Sequence, residues 1–290
     1  MTEHRGADTV RCMVNPGPFT RAELALKGID ANELANQLSQ GRLRRVYRGW
    51  YADAFSPENA VRAVQMGGRL GCLSACKVHG LWVPPSTDLH VMMNPGVRLP
   101  VPRPQGVQFH RLSTPCTSAV AAIEESLAHV LHRHDEETAL VVLESAVNSK
   151  LVHEADARGL LARVPMRSQR TADHFSPLAQ SGSETRLRLF FQRVGVPVQP
   201  QAMITGVGHV DLLVGRSWII EADSQEHHSA QHNVTVDCER DLAARELGYQ
   251  RDRLSYEQIW LKWGRTQAWL TTMLRTRRHL RIPSPPVPHA

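Results

Sequence analysis

Between His209 and His228 the chain reads HVDLLVGRSWIIEADSQEHH, a stretch that few arrangements can satisfy. Asp211 sits in one apolar run, and Glu221 and Asp223 interrupt a second run, Trp218-Ile219-Ile220, across a turn signal at Gly215-Arg216. Short apolar runs bounded by such a turn predict two strands of a hairpin. Residues two apart on a strand share a face, so Glu221 and Asp223 project together, and a closed hairpin sets Asp211 beside them. Three carboxylates within ~4 Å would repel by roughly 4 kcal/mol per pair at an effective dielectric of ~20. A divalent cation is the natural counter-charge, with Asp211, Glu221 and Asp223 as its oxygen ligands.

At 290 residues the chain is long for one compact domain, and a prior of ~150 residues per domain predicts two or three. A formal charge of +6 favours a polyanionic partner without specifying nucleic acid. The five cysteines are odd in number and scattered, which argues against a disulfide framework. Cys72-x3-Cys76 lacks a second pair at zinc-finger spacing and reads as one face of a core helix. Arg5, Asp8 and Arg11 break any signal-peptide core, and no run of ~18 apolar residues could span a bilayer, so no membrane is expected and the expected location is the cytoplasm.

The first dozen residues read as a flexible leader. After them, Thr20 with Glu23 three residues on forms a capping box that opens a helix ended by Gly28. A second helix is expected from about Asp30 to Gln40, then Gly41, a turn at Gly49 and a short Trp50-Tyr51 strand. Helix, turn, helix and a small hairpin are the parts of a winged helix, and Arg42, Arg44, Arg45 and Arg48 place four cations on its wing. Together with Arg21, these are the residues expected to hold DNA phosphates. Phe19 to Leu24 and Gly41 to Tyr51 resemble the N-terminal winged-helix domain of the AbiEi-type antitoxin family, with its TRAEL-like helix and GRLxRVxRGxY wing. That resemblance covers about the first 55 residues and implies DNA binding without saying what the binding is for.

From Glu58 to Leu81 the pattern is helical and rich in small residues, and two strands, 89–93 and 106–110, flank a proline-rich loop. Helical periodicity returns from Thr117 to Leu161. His79, His90, His110, His129, His132 and His134 have no carboxylate at convincing ligand spacing and are read as structural. The block is expected to be an α/β connecting scaffold, with a linker at Gln169 to Ala179; antitoxin-headed proteins of this kind carry a similar SAxxxHGL…HV segment.

A capped helix follows from Ser181, with Leu187, Phe190, Phe191 and Val194 as its apolar stripe and Glu184 in its first turn, where a carboxylate also suits the helix dipole. Strands are expected at 198–204, 207–214 and 217–223, then a helix from Asn233 to Leu247, a strand to Leu254 and a closing helix from Tyr256 to Arg277. This order, with its acids, resembles the PD-(D/E)xK nucleases, most closely the very-short-patch-repair endonuclease-like branch, whose members read VD…VEVDGxxxH…DxxRDxxLxxxGW. The resemblance spans about residues 181 to 260. It implies Glu184 as the helix acid, Asp211 as the metal-binding aspartate, Glu221 and Asp223 as the second motif, His227 or His228 as the downstream histidine, and Arg240-Asp241 as the helix pair. Asp223 stands where the wider superfamily has lysine, and Ser224 replaces the branch's usual glycine.

Phosphodiester hydrolysis needs a neutralised phosphate, an activated water and a protonated leaving oxygen. Mg2+ or Mn2+ supplies the first two, and a histidine, preferably His228, is the expected proton carrier, since its pKa of ~6.5 allows exchange near neutrality. Glu184 and Asp241 complete the expected catalytic set, and Arg240 either contacts phosphate or pairs with Asp241. The chain as a whole is thus expected to be α/β, α+β overall, with a winged helix at 1–58, a scaffold at 59–175, a restriction-endonuclease-like domain with a mixed central sheet at 176–280, and a disordered tail at 281–290. The expected activity is metal-dependent cleavage of double-stranded DNA in phage defence, toxin-antitoxin action or repair, with a non-cutting regulator as the rival. Self-association as a homodimer and a partner protein encoded nearby both stay open.

Overall fold

A computed structural model of the chain describes residues 16–86, 88–111, 117–163, 169–223 and 232–284. The architecture is mixed, α+β overall, with three small sheets among the described residues. The chain divides into two compact units, Met1–Val78 with Thr87–Ile123, and His79–Ser86 with Glu124–Ala290. The expected scaffold is therefore shared between the two units.

The first unit opens with β1 (Phe19–Thr20), α1 (Arg21–Leu26), α2 (Ala31–Ser39), β2 (Arg44–Tyr47) and β3 (Trp50–Ala52). The capping box forms as expected: Thr20 Oγ1 accepts from the Glu23 amide at 3.2 Å, and Glu23 Oε2 accepts from the Thr20 amide at 2.7 Å. Asp30 caps α2 by accepting from the amides of Asn32 and Glu33. Phe19, Leu24, Leu34 and Leu43 form the small core beneath these helices. Gly49, at φ +77°, turns β2 back on β3, and β1 adds to the far side of β3.

The helical stretch expected from Glu58 to Leu81 is broken. It becomes α3 (Glu58–Gln65), β4 (Gly68–Leu70) and α4 (Cys72–Val78). The Gly67-Gly68 pair explains the break: a Cβ on Gly68 would stand 2.5 Å from the carbonyl oxygen of Met92. Only a glycine lets β4 approach the neighbouring strand that closely. The expected strands appear as β5 (Leu89–Met93) and β6 (Val107–Arg111), which run parallel, while β4 pairs antiparallel with β5.

In the second unit the helical stretch expected from Thr117 begins only at α5 (Ile123–Arg133) and continues as α6 (Glu136–Asn148) and α7 (Glu154–Ala162). The expected linker is built into the fold instead: α8 (Gln169–His174) occupies half of it, and Phe175 and Ala179 are buried. Next come α9 (Gly182–Arg193), β7 (Val198–Ile204), β8 (Gly208–Val214), β9 (Trp218–Asp223), α10 (His232–Glu246) and β10 (Gln250–Ser255), close to the expected bounds. The sheet order is β10-β9-β8-β7, with β7, β8 and β9 an antiparallel meander and β10 parallel to β9. Leu187, Phe191, Leu212, Val214, Trp218 and Ile220 form the core on one face, together with Leu270 of α11 (Trp263–Arg275). Ile219, Val210 and Ala244 of α10 form a second, smaller core. Val194, expected on the α9 stripe, is 49% exposed because it stands at the helix's C-cap, beyond the last packed turn. A π-helical turn, Glu257–Leu261, interrupts the expected closing helix before α11. Within the tail, Ser284 lies so close to Gly248 that a Cβ there would meet its carbonyl; residues 285–290 lie outside the described residues, as does the expected leader, 1–12.

Candidate functional site

The ladder between β8 and β9 runs from Val214↔Trp218 to Leu212↔Ile220. Beyond that pair the backbones no longer serve each other, and two side chains take over. Glu221 Oε2 accepts from the Asp211 amide at 3.0 Å, and Asp211 Oδ2 accepts from the Ala222 amide at 2.8 Å. Amides left unpaired inside a sheet are costly, and carboxylates are strong acceptors for them. The strand fork thus fixes Asp211 and Glu221 against each other.

Two further side chains close the site. Ser181 caps α9 and accepts from the Glu184 amide, holding Glu184 in the first turn. Glu184 is only 4% exposed, so the helix dipole alone does not account for it. Its Oε2 accepts from the Gln180 amide at 3.1 Å and from Gln201 Nε2 at 2.9 Å. The same Gln201 amide reaches Asp211 Oδ1 at 3.5 Å, at the limit of a hydrogen bond. Gln201 faces Asp211 between the pairs Pro200↔Leu212 and Ala202↔Val210, and its φ of +49° puts a non-glycine residue in the left-handed region. Strain of this kind concentrates at functional sites.

The electrostatics follow from this crowding. Burial, then the neighbouring charges of Glu184 and Glu221, push the Asp211 carboxyl up to about 7. Burial also raises Glu184, against the opposing hydrogen bonds from Gln180, Gln201 and Ser181. Glu221 also has cationic neighbours: its other oxygen, Oε1, is 2.9 Å from Arg251 Nη2 and 3.8 Å from Arg240 Nη2. Arg251 also binds Asp241, and Arg253 approaches the same Asp241 oxygen at 3.6 Å. Arg240 does not pair with Asp241; it donates to the carbonyls of Val207 and His209.

Asp211, Glu221, Glu184, Arg240 and Asp241 therefore come together around one fork, Asp241 through Arg251. Asp223 is the exposed last residue of β9, and among the described residues no hydrogen bond or ion pair joins it to Asp211 or Glu221. Ser224, His227 and His228 lie outside the described residues. Gln201 and Arg251 are members that the sequence reading misses. Arg251 had a signal in QRDRLS, since a strand of alternating charge in a parallel pair departs from the usual apolar run. Gln201 had none. The donor set left for a metal is all oxygen and partly desolvated, with Asp211 Oδ1 receiving only the long bond from Gln201 among the described residues. Hard oxygen donors of this kind suit Mg2+ or Mn2+ in general, but among the described residues the fork's acids do not form a group of three ligand atoms within 4.8 Å of one another.

In the first unit, Arg42, Arg44, Arg45 and Arg48 all stand exposed on the β2–β3 hairpin and its approach, and Arg21 is exposed at the start of α1. Among the described residues none of the five has an acidic partner within 4 Å. Tyr47, between them, is 46% exposed. The hairpin thus presents a cationic edge with an aromatic ring on it.

Residues 15–52 match a family described as transcriptional regulator, AbiEi antitoxin, a stretch that contains the capped helix and the arginine-bearing hairpin. Comparison with curated proteins gives no match. Among solved structures, the Rv2827c protein from Mycobacterium tuberculosis aligns at 16% identity over 59% of this chain and 75% of that one, with a TM-score of 0.27. Among the described residues, no helix is long and apolar enough to cross a membrane.

Proposed function

We propose that this chain binds double-stranded DNA through its N-terminal wing and hydrolyses phosphodiester bonds at the strand fork of its C-terminal sheet, with Mg2+ or Mn2+ as cofactor. The observation that carries the reading is Asp211, held between Glu184 and Glu221 with its carboxyl pushed up to about 7. A buried acid crowded by like charges is poised to receive a cation. The order α9, β7, β8, β9, α10, β10 supports a PD-(D/E)xK-like assignment. Asp211 with Glu184, Glu221 or Asp223 would hold the ion, which when bound neutralises phosphate charge and lowers the pKa of a coordinated water. Arg251 and Arg240 orient Glu221 beside it, and His228 or His227 is the proton carrier this reading assigns from the sequence.

The head supports the DNA half of the proposal. Its match to the AbiEi antitoxin regulators favours a regulatory or toxin-antitoxin setting, with a toxin protein as partner, and its exposed guanidinium groups suit a phosphate backbone. One observation favours the rival, a regulator that binds DNA without cutting it: Arg251 and Arg240 already balance Glu221 from within the chain.

The deciding experiment is cleavage of supercoiled plasmid and of a mismatched duplex with Mg2+, Mn2+ or EDTA, comparing wild type with Asp211→Ala. Metal-dependent nicking should fall at least about 100-fold in the variant, the loss expected when several kcal/mol of charge stabilisation disappear. If no metal supports cutting, or both proteins cut alike, the enzyme reading fails and the regulator stands. For the head, Arg44→Ala combined with Arg45→Ala should weaken duplex binding and flatten its log–log salt dependence by roughly 2, near 0.9 per lost phosphate contact. An unchanged affinity would remove the wing from DNA binding.

A further inference from the structure

Cys72, His90 and His110 have no ligand spacing in the sequence, but the first unit brings them together. His90 and His110 lie on the parallel strands β5 and β6, where the register pairs His90 with Gln108 and Met92 with His110. That offset stacks the two rings, with centroids 5.2 Å apart and planes within 14°, and sets His90 Nδ1 3.0 Å from His110 Nε2. Cys72 arrives from β4, whose following residue Gly71 donates to the His90 carbonyl at 3.1 Å. The Cys72 Sγ lies within 4.8 Å of a ring nitrogen of His110 and, in a separate grouping, within 4.8 Å of one of His90. Cys72 is fully buried, His90 is 4% exposed and His110 is partly buried.

Two details mark this as more than a chance meeting. Cys72 has φ +51°, the left-handed region, a conformation a cysteine adopts only under constraint from its surroundings. The His90 amide is also tied to Ser74 Oγ at 2.9 Å, so α4 fixes the strand against which its own first residue is aimed. One turn further on, Cys76 is buried too, and among the described residues it belongs to no group of three candidate metal ligands.

We propose that Cys72, His90 and His110 form a zinc site in the first unit, distinct in chemistry from the all-oxygen fork of the second. A thiolate with two imidazoles is a soft-to-borderline donor set that favours Zn2+ over Mg2+. Tetrahedral zinc with bonds of ~2.0–2.3 Å places its ligand atoms roughly 3.3–3.8 Å apart, so binding would replace the His90–His110 hydrogen bond with two bonds to the metal. Three protein ligands leave the fourth position to solvent or another donor. Bound there, the ion would pin the β4–α4 turn to β5 and β6 and hold the sheet that follows the wing.

The test uses the full-length chain. Elemental analysis after purification with zinc present should give about one zinc per chain. The stripped protein titrated with Co2+ should develop the thiolate-to-cobalt charge-transfer band and the d–d bands of tetrahedral cobalt. Cys72→Ser should abolish the charge-transfer band, His110→Ala should weaken Co2+ binding at least about 100-fold, and Cys76→Ser should leave both unchanged. If Cys72→Ser fails to fold, alkylation and peptide mapping of the wild type decide instead, with Zn2+ expected to protect Cys72 while Cys238 continues to react. Absence of bound zinc together with absence of the cobalt band would overturn the site and leave a hydrogen-bonded histidine pair. A band that survives Cys72→Ser, or protection of a different cysteine, would overturn it equally.

Discussion

Helix α9 contributes to two buried carboxylate sites, and they are balanced in opposite ways. At the first, Glu144 of α6 receives Arg188 Nη2 at 2.5 Å and the Ser176 amide at 2.8 Å on one oxygen, and the Thr185 hydroxyl at 2.6 Å on the other. Arg188 spends its remaining reach on the His174 carbonyl and Gln192. Burial pushes the Glu144 carboxyl up, and Arg188, Thr185 and Ser176 pull it down. At the second site Glu184 from the same helix meets Asp211 and Glu221, and among the described residues the ion pairs to these three acids reach Glu221 alone. Both sites are buried acid; what separates them is whether the chain supplies the counter-charge. A site that supplies its own is structure, and a site that leaves an acid crowded by acids is where a cation from solution has the most to gain.

The largest effect should come from breaking the balanced site. Arg188→Met strands Glu144 in a place where both side chains are almost wholly buried, and removing one partner of such a pair costs about 3–5 kcal/mol. Urea unfolding should show that loss, with no recovery on adding Mg2+. Joining Glu144→Gln to it should restore much of the difference, because the uncompensated charge goes with it. A mild effect of Arg188→Met alone would mean that Glu144 is already neutral.

Substitution at the fork should act in the opposite direction. Asp211→Asn keeps an oxygen for the Ala222 amide and removes one of three like charges, so metal-free protein at pH 8 should gain roughly 0.5–2 kcal/mol while losing cleavage. The pH dependence gives the sign independently. In the folded chain Asp211 holds its proton up to about 7, whereas its unperturbed value is 3.8. Its contribution to stability is therefore fully present below about 3.8 and is lost as pH rises through 7. Melting temperatures in EDTA should fall across that window in wild type and fall less in Asp211→Asn, and Mg2+ should recover the wild type at the alkaline end. Parallel curves for the two proteins would place the charge imbalance elsewhere.

This contrast was half legible in the sequence. The fork's own acids could be found because they interrupt apolar strands, and the meander could be found because alternation and turn glycines are local signals. Glu184 could be found only with a resemblance beside it, since its place in a first turn has an ordinary explanation. Glu144 sits in LVVLESAV, where a lone polar residue reads as the solvent edge of a helix, and its partner lies 44 residues away. Arg251 reaches Glu221 across 30 residues and Gln201 reaches Glu184 across 17, so neither contact has a periodicity to betray it. β4 was hidden for a related reason: small residues suit a tight helix as well as a close strand, and only the approach of Met92 decides between them.

The smallest effect, and the sharpest on how the fork is built, is at Gln201. Its side chain bridges Glu184 and Asp211, and its backbone sits at φ +49°. Gln201→Ala removes the bridge and keeps the strain; Gln201→Gly removes both. A left-handed residue with a Cβ carries a penalty of roughly 1–2 kcal/mol, partly offset by the extra chain entropy glycine loses on folding. The glycine variant should therefore be the more stable of the two by about 1 kcal/mol in metal-free buffer, by urea unfolding. Equal stabilities would mean that the strand relaxes once the amide is gone, making the bridge between the two acids the cause of the strained backbone. A gap of the expected size would make the strain a property of the strand itself, one that holds Gln201 opposite Asp211 before either acid has a partner.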